Sequence, residues 1–200
     1  MMRRDECFRK LAEHRGEAIM VAAYTSAFEW VAIDPSPLNF VSTGAMGQAS
    51  SHALGLAIGL PGRKVVVLDG DGSLLMNLGS LVTIAEAAPR NLVHFVVENG
   101  TYEANGGHPI PGRDRVDFAG FARDAGYEEV HSFDGLNRFS AVLPELLAAP
   151  GPVFGCLKVE PGPAPEYDYE MLHSPRMREA FRQAIRPFLG DGAGGSAGTE

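Results

Sequence analysis

Cysteine is scarce in this chain: Cys7 and Cys156 are the only two in 200 residues. They lie far apart and show no metal-ligand spacing, which argues against a disulfide framework or a structural zinc site and fits two reduced thiols in the cytoplasm. Excess positive charge is also lacking. With 17 Lys and Arg against 25 Asp and Glu, the net charge is −8, which speaks against nucleic acid or an anionic membrane as partner. No apolar run approaches the ~20 residues that span a bilayer. No signal peptide and no internal repeat are evident. What is present, 45% hydrophobic and 21% charged residues, suits one domain over residues 1–189 with a sizeable core, followed by a Gly-Ser-Ala tail, 190–200, that reads as disordered.

Helical and extended patterns alternate. Helices are expected over residues 4–14, through Phe28-Glu29-Trp30, and over 49–60, 77–88, 117–125, 138–148 and 175–189. In the 77–88 helix, Leu78, Leu81, Val82 and Ala85 share the face expected to turn inward. Strands are expected over 18–23, from Val65, over 92–97 and over 153–159, and residues 161–169 read as a Pro-rich linker. Continuous apolar strands alternating with helices predict an α/β fold: a parallel sheet covered by helices on both faces. Arg176, Arg178, Arg182 and Arg186 on the last helix read as a solvated or subunit-facing surface rather than a nucleic-acid face.

The chemistry concentrates at two strand ends. The run Val65-Val66-Val67-Leu68 ends in Asp69-Gly70-Asp71-Gly72-Ser73, and the run from Leu92 to Val97 ends in Glu98-Asn99-Gly100-Thr101-Tyr102. The glycines let backbone amides approach an anion, and Asp71 and Asn99 supply the hard oxygens that magnesium selects. The interval from Asp71 to Asn99 fits one strand, one crossover helix and the next parallel strand. A calcium loop starting at Asp69 fails, because its sixth and twelfth positions would be Leu74 and Ser80 instead of Gly and Glu. Asn99-Gly100-Thr101 is formally a glycosylation sequon and is read as a chance match. An ordinary strand-to-helix turn without ligand is the remaining alternative.

These residues resemble the metal-diphosphate signature of thiamine diphosphate-dependent enzymes, Gly-Asp-Gly followed at a distance by Asn. The resemblance implies that Asp71, the Asn99 side chain and the Thr101 carbonyl bind Mg2+, with Gly70, Gly72, Ser73 and Tyr102 around the cofactor. Glu98 stands where many members carry a second Asn, which leaves open that it reaches the metal. Upstream, Ser42-Thr43-Gly44-Ala45-Met46-Gly47-Gln48 resembles the loop that holds the aminopyrimidine end. By that likeness Met46 would wedge beneath the bent cofactor and the Gly44 carbonyl would accept from its amino group; a thioether suits the gap between two rings.

The run Gly70-Asp71-Gly72-Ser73-Leu74-Leu75-Met76-Asn77-Leu78-Gly79-Ser80-Leu81 is similar in particular to the beta subunits of sulfopyruvate decarboxylases and the corresponding half of phosphonopyruvate decarboxylases. The implied activity is decarboxylation of a small 2-oxo acid to carbon dioxide and an aldehyde. In that family a glutamate on a separate pyrimidine-binding domain activates the cofactor, and this chain has no room for such a domain. A heteromer, heterotetramer or larger, with a pyrimidine-binding alpha subunit is therefore implied. A carboligase of acetolactate synthase type and a non-catalytic cofactor-binding subunit are the alternatives. His108, after the paired glycines, is the candidate to bind the substrate acid or donate a proton, because its ordinary pKa is near neutrality; a surface-loop histidine is the other reading. His52 is expected as a satisfied core histidine, with contact to cofactor or partner as the other reading, and His94 as structural.

Overall fold

The computed structural model describes residues 1–41, 46–163, 166–172 and 174–189. In chain order the elements are α1 (Arg4–His14), β1 (Ile19–Ala22), α2 (Tyr24–Ile33), β2 (Asn39–Val41), α3 (Ala49–Gly59), β3 (Val65–Gly70), α4 (Asp71–Leu75), α5 (Gly79–Ala87), β4 (Leu92–Glu98), β5 (Thr101–Tyr102), β6 (His108–Pro109), α6 (Phe118–Ala125), β7 (Glu129–Phe133), α7 (Leu136–Ala148), β8 (Val153–Lys158), α8 (Tyr169–Leu172) and α9 (Pro175–Ile185). Six strands form one sheet in the order β2-β1-β3-β4-β8-β7, and β5 pairs with β6 in a separate hairpin. Every pairing in the large sheet is parallel.

The central strands are apolar because both faces are covered. Along β1, β3 and β4 alternate residues turn to opposite sides: Met20, Val66, Leu68, Val93 and Phe95 join Phe8, Trp30, Phe139 and Leu143 from α1, α2 and α7. Ile19, Val21, Val65, Val67 and Val96 join Ala53, Ala57, Leu81, Ile84 and Phe118 from α3, α5 and α6. Each fully buried Val, Leu, Ile or Phe contributes about 1.5–3 kcal/mol. The buried Ala49, Ala53 and Ala57 keep α3 close on the sheet, and Leu60-Pro61 ends it. Among the described residues no helix is long and apolar enough to cross a membrane. Cys7 and Cys156 are both buried and unpaired.

The expected α/β sheet is present, with instructive differences in detail. The helix expected over 77–88 starts at Gly79, and it buries Ser80, Leu81 and Ile84, while Val82 is 60% exposed. Its rotation is set by Ser80, whose hydroxyl lies 2.9 Å from that of Ser50 on α3. Residues expected as linker contribute Tyr167 and Tyr169, both edge-on to Phe28. The strand β7 was not anticipated, since its sequence Glu-Val-His-Ser-Phe is that of a half-exposed edge.

Candidate functional site

The strand order reverses between β1 and β3. From β1 the chain moves outward to β2, whereas from β3 it moves the other way to β4. Loops leaving the carboxyl ends of two such strands diverge and open a crevice, the usual ligand position in open parallel sheets. Here that crevice is lined by Ala23, Tyr24, Thr25 and Ser26 after β1, by Gly70, Asp71, Gly72 and Ser73 after β3, and by Asn99, Thr101, Tyr102, Glu103 and Ala104 after β4, with Arg4 and Met46 at its margins. Most residues selected from the sequence thus converge on one place.

Asp71 is the first residue of α4 and only 2% exposed. One carboxylate oxygen accepts from the Gly72 amide at 2.7 Å and the other from the Gly100 amide at 2.6 Å, so each retains a lone pair. Burial pushes this carboxyl up to about 6; the amides of Gly100, Gly72 and Asn99 pull the other way, and Glu98 adds repulsion. Among the described residues no basic side chain pairs with it. A buried carboxylate with spare lone pairs and no counter-charge fits a cation. No cluster of three His, Cys, Asp or Glu that could hold a metal exists among the described residues. A cation here would therefore rest on one carboxylate, one amide and one carbonyl, with ligand oxygens and water completing the shell. That donor set is the kind magnesium takes in phosphate sites.

Asn99 currently turns its side-chain oxygen toward Thr101, accepting from the amide at 2.8 Å and from the hydroxyl at 3.2 Å. Ligation through this oxygen would displace the longer, hydroxyl contact. Glu98 is directed along the sheet instead, where it accepts from the Cys156 thiol at 2.8 Å. Gly72 is required by close approach: a Cβ there would lie 2.4 Å from Cε1 of Tyr102, so the tyrosine ring covers this turn.

The two sequence motifs are stitched together. Ser73 Oγ accepts from the Gly47 amide at 2.9 Å, and Asn77 Nδ2 donates to the Gly47 carbonyl at 2.9 Å. This places half-buried Met46 at the margin of the Asp71 crevice. Gly44 lies outside the described residues. His108 is exposed and outside the lining, although its strand register pairs it with Tyr102. His52, expected in the core, is exposed and edge-on to Phe40 at 5.5 Å, because it sits on the outer side of α3. His94 is fully buried with Nδ1 3.3 Å from the Tyr127 hydroxyl, as a structural histidine should be.

Sequence reasoning missed Arg4 and the start of α2. Thr25 and Ser26 are 7% and 5% exposed and line the crevice. The helix they begin has no side-chain cap, so its first amides are open to an anion. Tyr24 has φ +49°, an uncommon backbone state for a bulky residue that recurs at functional sites. The described walls enclose only about 50 Å3, against roughly 300–1,000 Å3 for a small-molecule pocket. A ligand anchored here would extend beyond them.

Comparison with known proteins agrees with this geometry. The chain is 41% identical over 155 residues to phosphonopyruvate decarboxylase of Streptomyces viridochromogenes, an alignment covering 77% of this chain and 38% of that protein. It is 43% identical over 136 residues to sulfopyruvate decarboxylase subunit beta of Methanothermobacter thermautotrophicus, covering 68% of this chain and 70% of that subunit. The fold is similar to that of benzoylformate decarboxylase from Polynucleobacter necessarius, with a TM-score of 0.63 and 20% identity over 79% of this chain and 33% of that one. The chain thus spans less than half of the Streptomyces enzyme. Residues 20–154 match the family described as thiamine pyrophosphate enzyme, C-terminal TPP binding domain; that stretch contains the switch point, both chemistry-bearing strand ends and the Met46 turn, and the chain belongs to this family.

Proposed function

We propose that this chain is the thiamine diphosphate- and magnesium-binding subunit of a split 2-oxo acid decarboxylase, acting with a separate pyrimidine-binding subunit on a small acidic 2-oxo acid of the sulfopyruvate or phosphonopyruvate kind. The observation that carries it is the buried, uncompensated Asp71 facing Asn99 and Thr101 at the switch point, beside Met46 and Tyr102. Asp71, Asn99 and the Thr101 carbonyl would hold the cation. Ser73 and the open first turn of α2, with the Thr25 and Ser26 hydroxyls, would face the diphosphate. Met46 would support the ring end, and His108, the register partner of Tyr102, would meet the substrate with the hairpin folded over the crevice. When bound, thiamine diphosphate supplies the electron sink that stabilises the charge left as carbon dioxide departs.

Two features support a partner. The walls described here are too small to enclose the whole cofactor, and one relative is named as a subunit beta while another is more than twice the length matched. In this reading the activating glutamate belongs to that partner. Calorimetric titration of thiamine diphosphate with MgCl2 into the chain, alone and mixed with a pyrimidine-binding partner, tests this reading. Tight binding only in the mixture, with carbon dioxide and aldehyde released from sulfopyruvate or phosphonopyruvate, is expected. Tight binding to the isolated chain would overturn the split site, no binding in either would overturn the cofactor assignment, and a product joined to an acceptor would replace decarboxylation by carboligation.

A further inference from the structure

Arg4 is 6% exposed and begins α1, yet it lines the crevice. Its base is fixed to the sheet, since the Met2 amide donates to the Lys158 carbonyl at 3.1 Å and the Glu160 amide to the Met2 carbonyl at 2.8 Å. From there the guanidinium reaches two carboxylates that are remote in sequence. Nε donates to Glu29 on α2, and Nη1 donates to Glu103 at 2.5 Å. Glu103 begins the short turn that directly follows Thr101 and Tyr102. Its other oxygen accepts from the Gly162 amide at 3.0 Å, so both oxygens are committed and the turn is held from two sides.

Two readings of this cluster differ in consequence. As a cation for an incoming anion, Arg4 is poorly placed, because two carboxylates already give the triad a net charge of about −1. As a source of fold stability the triad is also weak, because buried ion pairs often contribute little relative to apolar packing. Its connections are what distinguish it. The two arms reach opposite walls of the crevice: the helix that carries Thr25 and Ser26, and the turn that follows Thr101 and Tyr102. We propose that Arg4 is a positioning residue of the cofactor site, acting through Glu103 to fix the Thr101–Tyr102 strand against Asp71; this rests on the reading that the crevice takes a metal–diphosphate group.

The test compares the two arms in the full chain mixed with a pyrimidine-binding partner. Glu103→Gln and Glu29→Gln each remove one carboxylate from the same guanidinium, so a purely structural cluster responds to both alike. Positioning predicts that Glu103→Gln weakens binding of Mn2+ with thiamine diphosphate, read from the electron paramagnetic signal of free Mn2+, by about 10–100-fold, the usual effect of removing an outer-shell partner. Glu29→Gln should change it no more than a few-fold. Amide exchange at Gly100 and Thr101, whose N–H groups donate to Asp71 and Asn99, should accelerate in Glu103→Gln alone, and Arg4→Lys should fall between the two. Wild-type affinity and exchange in Glu103→Gln, or equal losses in both glutamate variants, would overturn the proposal. If the wild-type chain binds no Mn2+–thiamine diphosphate even in the mixture with its partner, the cofactor reading fails, and the exchange comparison alone then decides whether Arg4 positions this strand.

Discussion

The same dipeptide leads from a strand of the sheet into a helix at two places: Asp69-Gly70, the last residues of β3, precedes α4, and Asp134-Gly135, just beyond the end of β7 at Phe133, precedes α7. Both glycines are helix N-caps in extended conformation, with φ −96° at Gly70 and −134° at Gly135. Local chemistry is therefore nearly the same. Asp69 is fully buried between β1 and β4, whereas Asp134 is exposed at the sheet edge. After the cap, α4 begins with Asp71 and α7 with Leu136. What gives the first turn its chemistry is its place at the reversal of strand order, where loops from β1 and β4 converge on one buried carboxylate. The second turn has no strand beyond it and only caps a helix.

The contrast breaks most completely at Asp71. Asp71→Asn should reduce magnesium-dependent affinity for thiamine diphosphate by at least ~100-fold, because a charged ligand becomes a neutral one. The free fold should become more stable at neutral pH, since a buried charge without a partner is removed. Calorimetry and urea denaturation read the two effects; lower stability with retained affinity would refute the role assigned to Asp71. Asp134→Asn should leave both within error. Glycine gives the next largest difference. Gly72→Ala drives a methyl into the Tyr102 ring and should cost about 1–3 kcal/mol and displace the tyrosine, whereas Gly135→Ala meets nothing within 4 Å and should stay within about 1 kcal/mol of wild type. Equal thermal shifts in the two variants would show that Tyr102 moves aside freely.

The sequence made one half of this contrast legible. Apolar runs at β3 and β4 located two strands, hard-oxygen residues at their ends singled out Asp71 and Asn99 as candidates, and the Thr101 carbonyl was added by the family resemblance alone. Sheet order was not legible, because no local pattern records that β1 lies beside β3. Thr25 and Ser26 became site residues only through that neighbour relation, and Arg4 only through its reach to Glu29 and Glu103. The inward face of α5 was misread for a related reason: Val82 fits the helical period, but the contact between Ser80 and Ser50 turns a small polar residue toward α3. Edge position likewise hid β7, where Glu129 and His131 interrupt the apolar run. Periodicity reports burial well where both faces are covered and poorly where one neighbour is missing or polar.

Acidity offers a graded way to separate the two turns. The Asp71 carboxyl rises from its ordinary 3.8 to about 6 in the fold because burial disfavours its charge. For an acid raised on folding, the native state holds more protons than the unfolded chain across that interval. Stability of the free chain should thus fall as pH rises from about 4 to about 6, by on the order of 3 kcal/mol, and level off above. Cation binding requires the ionised form and has the opposite trend, weakening as pH drops below about 6. Parallel denaturation and Mg2+ titrations check the crossing; a pH-independent difference between wild type and Asp71→Asn would remove burial as the cause.

The finest distinction concerns the turn at Met46, which is fastened to the β3 turn through Gly47 and Ser73; among the described residues the β7 turn has no such attachment. Met46→Ala keeps the backbone bonds of Gly47, so Asp71, Ser73 and the α2 terminus should still anchor magnesium and diphosphate with at most a few-fold change. The lost thioether would leave the ring end of the cofactor without apolar support. Exchange of the thiazolium carbon 2 proton, followed by NMR with the partner subunit present, should therefore slow while affinity stays near that of wild type. Unaltered exchange would confine Met46 to packing, and a parallel loss of affinity would mean that the Met46 turn positions the diphosphate anchor instead of the ring. The separation of these two outcomes follows from geometry: Met46 itself lines the crevice, whereas the bond to Ser73 is made by the backbone of the next residue, which the substitution leaves in place.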